Sequence, residues 1–196
     1  MATITPELTK EFWAAAKVKW GAKQSSKGDS AFMKLVADFL DLMGITNKEM
    51  FMNHFTTTIF DTIYTPFEIG VPSGGYDLWN QISICTHECV HVVQYHDSPV
   101  KFPVQYLVNK SDRTTYEAEA YASDLQMHYW KYGYGYNIVL RAEVLKQYGL
   151  TQEYVDYAIQ YITVYDDVLK QGGSTSPVAA WACGWLQDHG IAGAVA

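Results

Sequence analysis

The 196-residue sequence predicts an α+β fold, mainly helical, with a small sheet packed beside one central helix. Three observations carry that expectation. Apolar residues recur at three- and four-residue steps in several segments, the period of half-buried helices. One stretch, Thr56 to Ile69, is rich in Thr, Ile, Phe and Tyr instead and reads as extended. Apolar residues make up 48% of the chain and no repeat interrupts it, so a single domain over residues 1–196 with a sizeable core is expected.

The elements follow in order. Thr5 before Pro6 is an N-cap followed by proline at the first helical position, opening a helix to about Trp20. Lys23 to Gly28 is polar and loop-like. Asp29 or Ser30 caps a second helix through Met43, stopped by Gly44. Thr46 to Glu49 reads as a capping box for a short third helix ending near Asn53. Within the extended stretch, Pro66 marks an edge strand or a break. Pro72, Ser73, Gly74 and Gly75 form a turn signal, after which a helix free of Pro and Gly runs from about Tyr76 to Tyr95. Ser98 to Pro103 reads as a loop, and Val104 to Val108 fits strand or helix. Thr114 to Tyr132 is helical and ends at Gly133. Val139–Tyr148, Gln152–Leu169 and Pro177–Asp188 complete the helices, the last capped by Ser176.

Composition narrows the partners. A formal net charge of −7 and scattered Lys and Arg argue against nucleic acid and anionic membranes. No run of eighteen apolar residues exists, so no membrane insertion is expected. The N-terminus lacks a basic segment followed by an apolar one, which makes a cytoplasmic location the expectation. Cys85, Cys89 and Cys183 read as small core residues, not as a disulfide framework.

The helix from Tyr76 carries His87, Glu88, Cys89, Val90 and His91, an HExxH string. Residues four apart on a helix share a face, so both imidazoles can address one ion. Glu88 stands one step round the helix, beside that ion, where a water would sit. With six His and nine Glu in 196 residues, an accidental match is expected only about 0.01 times.

A catalytic zinc takes three protein ligands and keeps one position open. Asp97, six residues after His91, is a weak candidate for the third. The chain has Gln94 where a turning Gly would be needed, and His96 fails for the same reason. Glu117 and Glu119, on the later helix, are the stronger pair. Glu117 is favoured because Tyr121, Asp124 and His128 share its face, and Glu119 is the second choice. Asp124 and His128 would then support the ligands from behind.

A second helix presenting Glu to an HExxH pair resembles the gluzincin arrangement of the zincins. The likeness extends over Ile63 to Pro66, His87 to Gln94, Phe102 to Leu107 and Tyr116 to Ala120, and covers roughly residues 60–125, about a third of the chain. It implies one Zn²⁺ per chain held by His87, His91 and Glu117. It also implies hydrolysis of a peptide or protein substrate, with Glu88 as general base. An extended strand within Thr57 to Ile69 would hold the substrate backbone. His128, Tyr121, Tyr134 and Tyr136 are positional candidates for an oxyanion donor. A di-iron site is discounted, because no second Glu has a His three residues later. The remaining rival is a catalytically silent zincin-like metal-binding or protein-interaction module. Retention of Glu88, which is no ligand, argues against it.

Overall fold

Thr5 opens the first helix as its place before Pro6 predicts. In the computed structural model, which describes residues 3–42 and 47–194, helix α1 spans Pro6–Trp20. Its first turn is capped by a hydrogen bond from the Leu8 amide to Thr5 Oγ1, 3.2 Å. Gly21 ends it at φ 67°, a left-handed conformation that costs glycine little. Phe12, Trp13 and Ala16 are buried along one face.

The small sheet has a strand that the sequence conceals. Strands β1 (Lys23–Ser26), β2 (Thr57–Ile59) and β3 (Thr62–Thr65) lie in the order β1-β3-β2, with β1 parallel and β2 antiparallel to β3. The polar run Lys23 to Ser26, expected as loop, is therefore a strand. It has no apolar alternation to announce it, and β3 supplies the pairing that makes it one. Instead of one long strand, Thr56 to Ile69 forms a hairpin turning at Phe60, whose φ is 57°. Lys27, fully buried, fastens this region. Its ammonium donates to the Phe51 and Phe55 carbonyls and to Thr57 Oγ1 at 2.7, 2.8 and 2.8 Å. Three acceptors for three N–H groups let a buried charge be tolerated there.

Helix α2 spans Ala31–Leu42, with Ser30 Oγ accepting from the Met33 amide. The expected end at Met43 and Gly44, and Thr46 of the expected capping box, lie outside the described residues. The cap of α3 (Lys48–His54) is Asn47, whose side chain accepts from the Met50 amide at 3.1 Å. Helix α4 (Leu78–Asp97) is capped by Asp77 and runs two residues past the expected end. The expected loop at Ser98 to Pro103 partly winds into α5 (Lys101–Val108). Pro103 is tolerated because the first helical turn has no amide bonds to lose. Helix α6 (Lys110–Tyr132) begins one turn early, capped by Asn109, and ends at Gly133, φ 79°. The helix expected over Val139–Tyr148 divides into α7 (Ile138–Ala142) and a 3-10 helix, Glu143–Tyr148. Helices α8 (Gln152–Lys170) and α9 (Pro177–Asp188) follow, the latter capped by Ser176.

Helix α4 is buried on two sides. Ile82, Cys85, Cys89 and Val92 pack into the same cluster as Phe12 and Trp13 of α1. Its opposite face lies against α6, and α6 in turn packs on α7 and α8 through Tyr121, Leu125, Ala142, Ala158 and Ile162. The three cysteines are free and buried, as small core residues. Among the described residues, no helix is long and apolar enough to cross a membrane.

Candidate metal centre

Polar groups buried where two helices meet need partners, and α4 and α6 bring several together. His87 and His91 project from successive turns of α4, their rings 5.1 Å apart and nearly perpendicular. Glu117 of α6 faces them. His91 Nε2 lies 3.5 Å from Glu117 Oε1, and His87 Nε2 lies 3.9 Å from Oε2. The three donor atoms fall within 4.8 Å of one another, and all three residues are buried. A tetrahedral ion with bonds of about 2.0–2.1 Å spaces its donors about 3.3 Å apart, so the cluster is close to a coordination geometry.

Glu117 supplies the most telling detail. It is 1% exposed, and its Oε2 has no hydrogen-bond partner. Its other oxygen accepts from the Tyr106 hydroxyl, reaching across from α5. A buried, unpartnered carboxylate oxygen is costly, and a cation beside it removes the cost. The cluster can hold a metal ion.

Both imidazoles are fixed from behind. His87 Nδ1 lies 3.1 Å from Asp124 Oδ2, and that oxygen also accepts from Arg141 Nη2 at 2.9 Å. Ser83 donates to Asp124 Oδ1 at 3.4 Å. His91 Nδ1 lies 2.8 Å from Gln94 Oε1. The Gln94 amide has only one consistent orientation, because its Nε2 donates to Tyr116 O (3.1 Å) and Glu119 Oε2 (2.7 Å). Tyr161 donates to the other oxygen of Glu119 at 3.3 Å. Each Nδ1 thus has an acceptor for its proton, which leaves each Nε2 on the side of Glu117.

The electrostatics also favour a cation. Burial lowers the pKa of His87, but Asp124, with Glu88 and Glu117 adding to it, raises it to about 9. Burial pushes the Asp124 carboxyl up, and the charges of His87 and Arg141 bring it below the usual carboxylate range. The phenols of Tyr106 and Tyr121 are raised, by burial first and Glu117 second, so both stay protonated donors. Glu88 stands beside the cluster without joining it. Its Oε2 accepts a 2.6 Å hydrogen bond from Thr58 of β2.

Glu119, the second choice for third ligand, is half-buried and turned away, engaged by Gln94 and Tyr161. Asp124 sits behind His87. His128 does not support the cluster, because its Nδ1 bonds the Tyr134 carbonyl at 2.7 Å, a turn and more beyond Asp124. Tyr136 donates to the Tyr121 carbonyl at 2.6 Å and Tyr134 is 62% exposed, and neither lines the cavity beside the cluster. His96 and Asp97 are exposed in the last turn of α4. Thr58, Gln94, Tyr106 and Arg141 are the site residues that sequence reasoning misses. Only Gln94 had a local signal, its place three residues after His91.

Beside the cluster opens a cavity of about 510 Å³, lined by Tyr76, Asn80, His87, Glu88, Tyr121 and Tyr148 among others. Comparison with protein-family models, curated proteins and solved structures finds no match to this chain.

Proposed function

We propose that this protein is a zinc-dependent hydrolase acting on peptide bonds, with a zincin-like, gluzincin-type site. The observation that carries the reading is a buried carboxylate, Glu117, with an unpartnered Oε2 and with the Nε2 atoms of His87 and His91 within 3.9 and 3.5 Å of its two oxygens. Two nitrogens and one carboxylate suit zinc, which accepts borderline donors and leaves a fourth position for chemistry. When bound, zinc supplies Lewis acidity toward a carbonyl oxygen and toward water.

The chain's own residues do the rest. Asp124 and Gln94 engage the two Nδ1 atoms, which leaves both Nε2 atoms on the side where the ion would sit. Thr58 occupies one oxygen of Glu88 and leaves the other to take a proton from the attacking water and pass it to the leaving amine. Tyr121, kept protonated and lining the cavity, would serve as donor to the developing oxyanion. The outer strand β2, bonded on one side only, offers its free backbone edge to an extended substrate next to Glu88.

The deciding experiment is Glu88→Gln, assayed against a peptide library with a chelator control. The variant is expected to keep its metal and its fold while losing hydrolysis by at least about 10²–10⁴-fold. Full activity in the variant, or wild-type cleavage that chelation does not block, would overturn the reading.

A further inference from the structure

The cavity beside the metal cluster continues past it. It shares Asn80, Ser83, Asp124, Arg141 and Val144 with a second hollow of about 530 Å³. The two make one groove, with the Asp124–Arg141 ion pair at its waist. Beyond the waist the character changes. Trp79 comes from the first turn of α4, His128 and Tyr132 from the end of α6, and Tyr136 from the segment after it. Leu140 of α7 completes the wall and is 68% exposed.

We infer that this second chamber receives an aromatic side chain, Phe or Tyr, adjacent to the bond to be cut. The inference rests on the peptide-hydrolase reading and adds a substrate class to it. Size permits it, since pockets of roughly 300–1,000 Å³ hold ligands of this scale. Charge narrows the choice. The wall carries both signs, so it selects neither a basic nor an acidic side chain, and Asp124 and Arg141 are already satisfied by each other at 2.9 Å. Neither asks for a substrate partner.

Two polar atoms of the rings are engaged elsewhere, His128 Nδ1 with the Tyr134 carbonyl and the Tyr136 hydroxyl with the Tyr121 carbonyl. The wall otherwise offers a ligand the rings of Trp79, His128, Tyr132 and Tyr136. The rings already meet one another, His128 tilted against Tyr132 at 4.6 Å and edge to face with Tyr136 at 5.8 Å. Such a wall favours another aromatic ring over an aliphatic chain of the same area. An exposed leucine at the rim gains a cover when that ring is in place.

The test uses blocked alanine pentapeptides carrying one Phe, Lys or Asp at each position in turn, with the zinc-loaded protein. Peptides with Phe are expected to exceed the all-alanine, Lys and Asp peptides in kcat/KM by at least about tenfold, mainly through KM. The double variant Tyr132→Ala, Leu140→Ala is expected to bring the Phe-to-Ala ratio near one. Both residues are exposed enough to be replaced without opening the core. Equal cleavage of all peptides, or an unaltered ratio in the double variant, overturns the chamber and leaves the hydrolase reading standing. If no peptide is cleaved in a chelator-sensitive way, the hydrolase reading fails and calorimetry of the same peptides decides the chamber. Tighter binding of Phe peptides that the double variant abolishes upholds it. Equal or undetectable binding overturns it.

Discussion

His87 leans on a carboxylate from another helix, whereas His91 leans on an amide from the next turn of its own. Both supports accept a hydrogen bond at Nδ1, so both leave Nε2 facing Glu117. Orientation is therefore a demand that either group meets. Charge is different. Asp124 places a negative charge against His87 and is balanced by Arg141, while Gln94 is neutral and passes its contact on to Glu119. The lesson is that a neutral amide fixes an imidazole's direction as a carboxylate does, and that the carboxylate behind His87 adds a charge there.

Four substitutions break or sharpen that contrast, and a competition titration against a chelator measures each. Glu117→Gln has the largest expected effect, because it removes the group both histidines share. Its loss of metal affinity should exceed the roughly 100-fold upper end for an outer partner. Retention equal to that of the outer-partner variants would show that Glu117 is no ligand.

Asp124→Asn comes next. The amide still accepts from His87, so the His87 side becomes a copy of the His91 side, but the charge is gone and Arg141 loses its partner. A fall of about 10–100-fold in affinity is expected. An unchanged affinity would mean that the charge on this side contributes nothing to metal binding.

Gln94→Leu removes an acceptor without removing a charge, so its expected cost is smaller, about tenfold. A loss larger than that of Asp124→Asn would reverse the ranking of the two sides. Glu119→Gln is smallest. It keeps an acceptor for Gln94 and should change affinity by no more than about threefold, the scale of one ordinary hydrogen bond. A collapse of metal retention in this variant would restore Glu119 as the third ligand.

Legibility differed between the halves of the site. Helical spacing alone brings His87, Glu88 and His91 to one side of α4, and the face shared by Glu117 and Asp124 is readable from their seven-residue separation. The sheet half is not readable that way. Lys23 to Ser26 carries no alternation, Thr58 has no motif, and Lys27 looks like one more surface lysine. Their roles come from partners 30 or so residues away, in β3, in Glu88 and in the carbonyls at the end of α3. His128 shows the limit of the helical argument. It shares a face with Asp124, yet it lies a turn farther on, where Tyr134 and not His87 is within reach.

Short-range periodicity was enough to propose an α+β chain, its main helices and the faces that carry His87, His91 and Glu117, the three groups that could hold a metal ion, because these depend on neighbours within a turn or two. Arg141 behind Asp124, Tyr106 on Glu117, Thr58 on Glu88 and the aromatic chamber depend on how α5, α6, α7 and the sheet pack around α4. Packing of separate elements is governed by side-chain shape and burial over the whole core, and no local spacing in the chain encodes it.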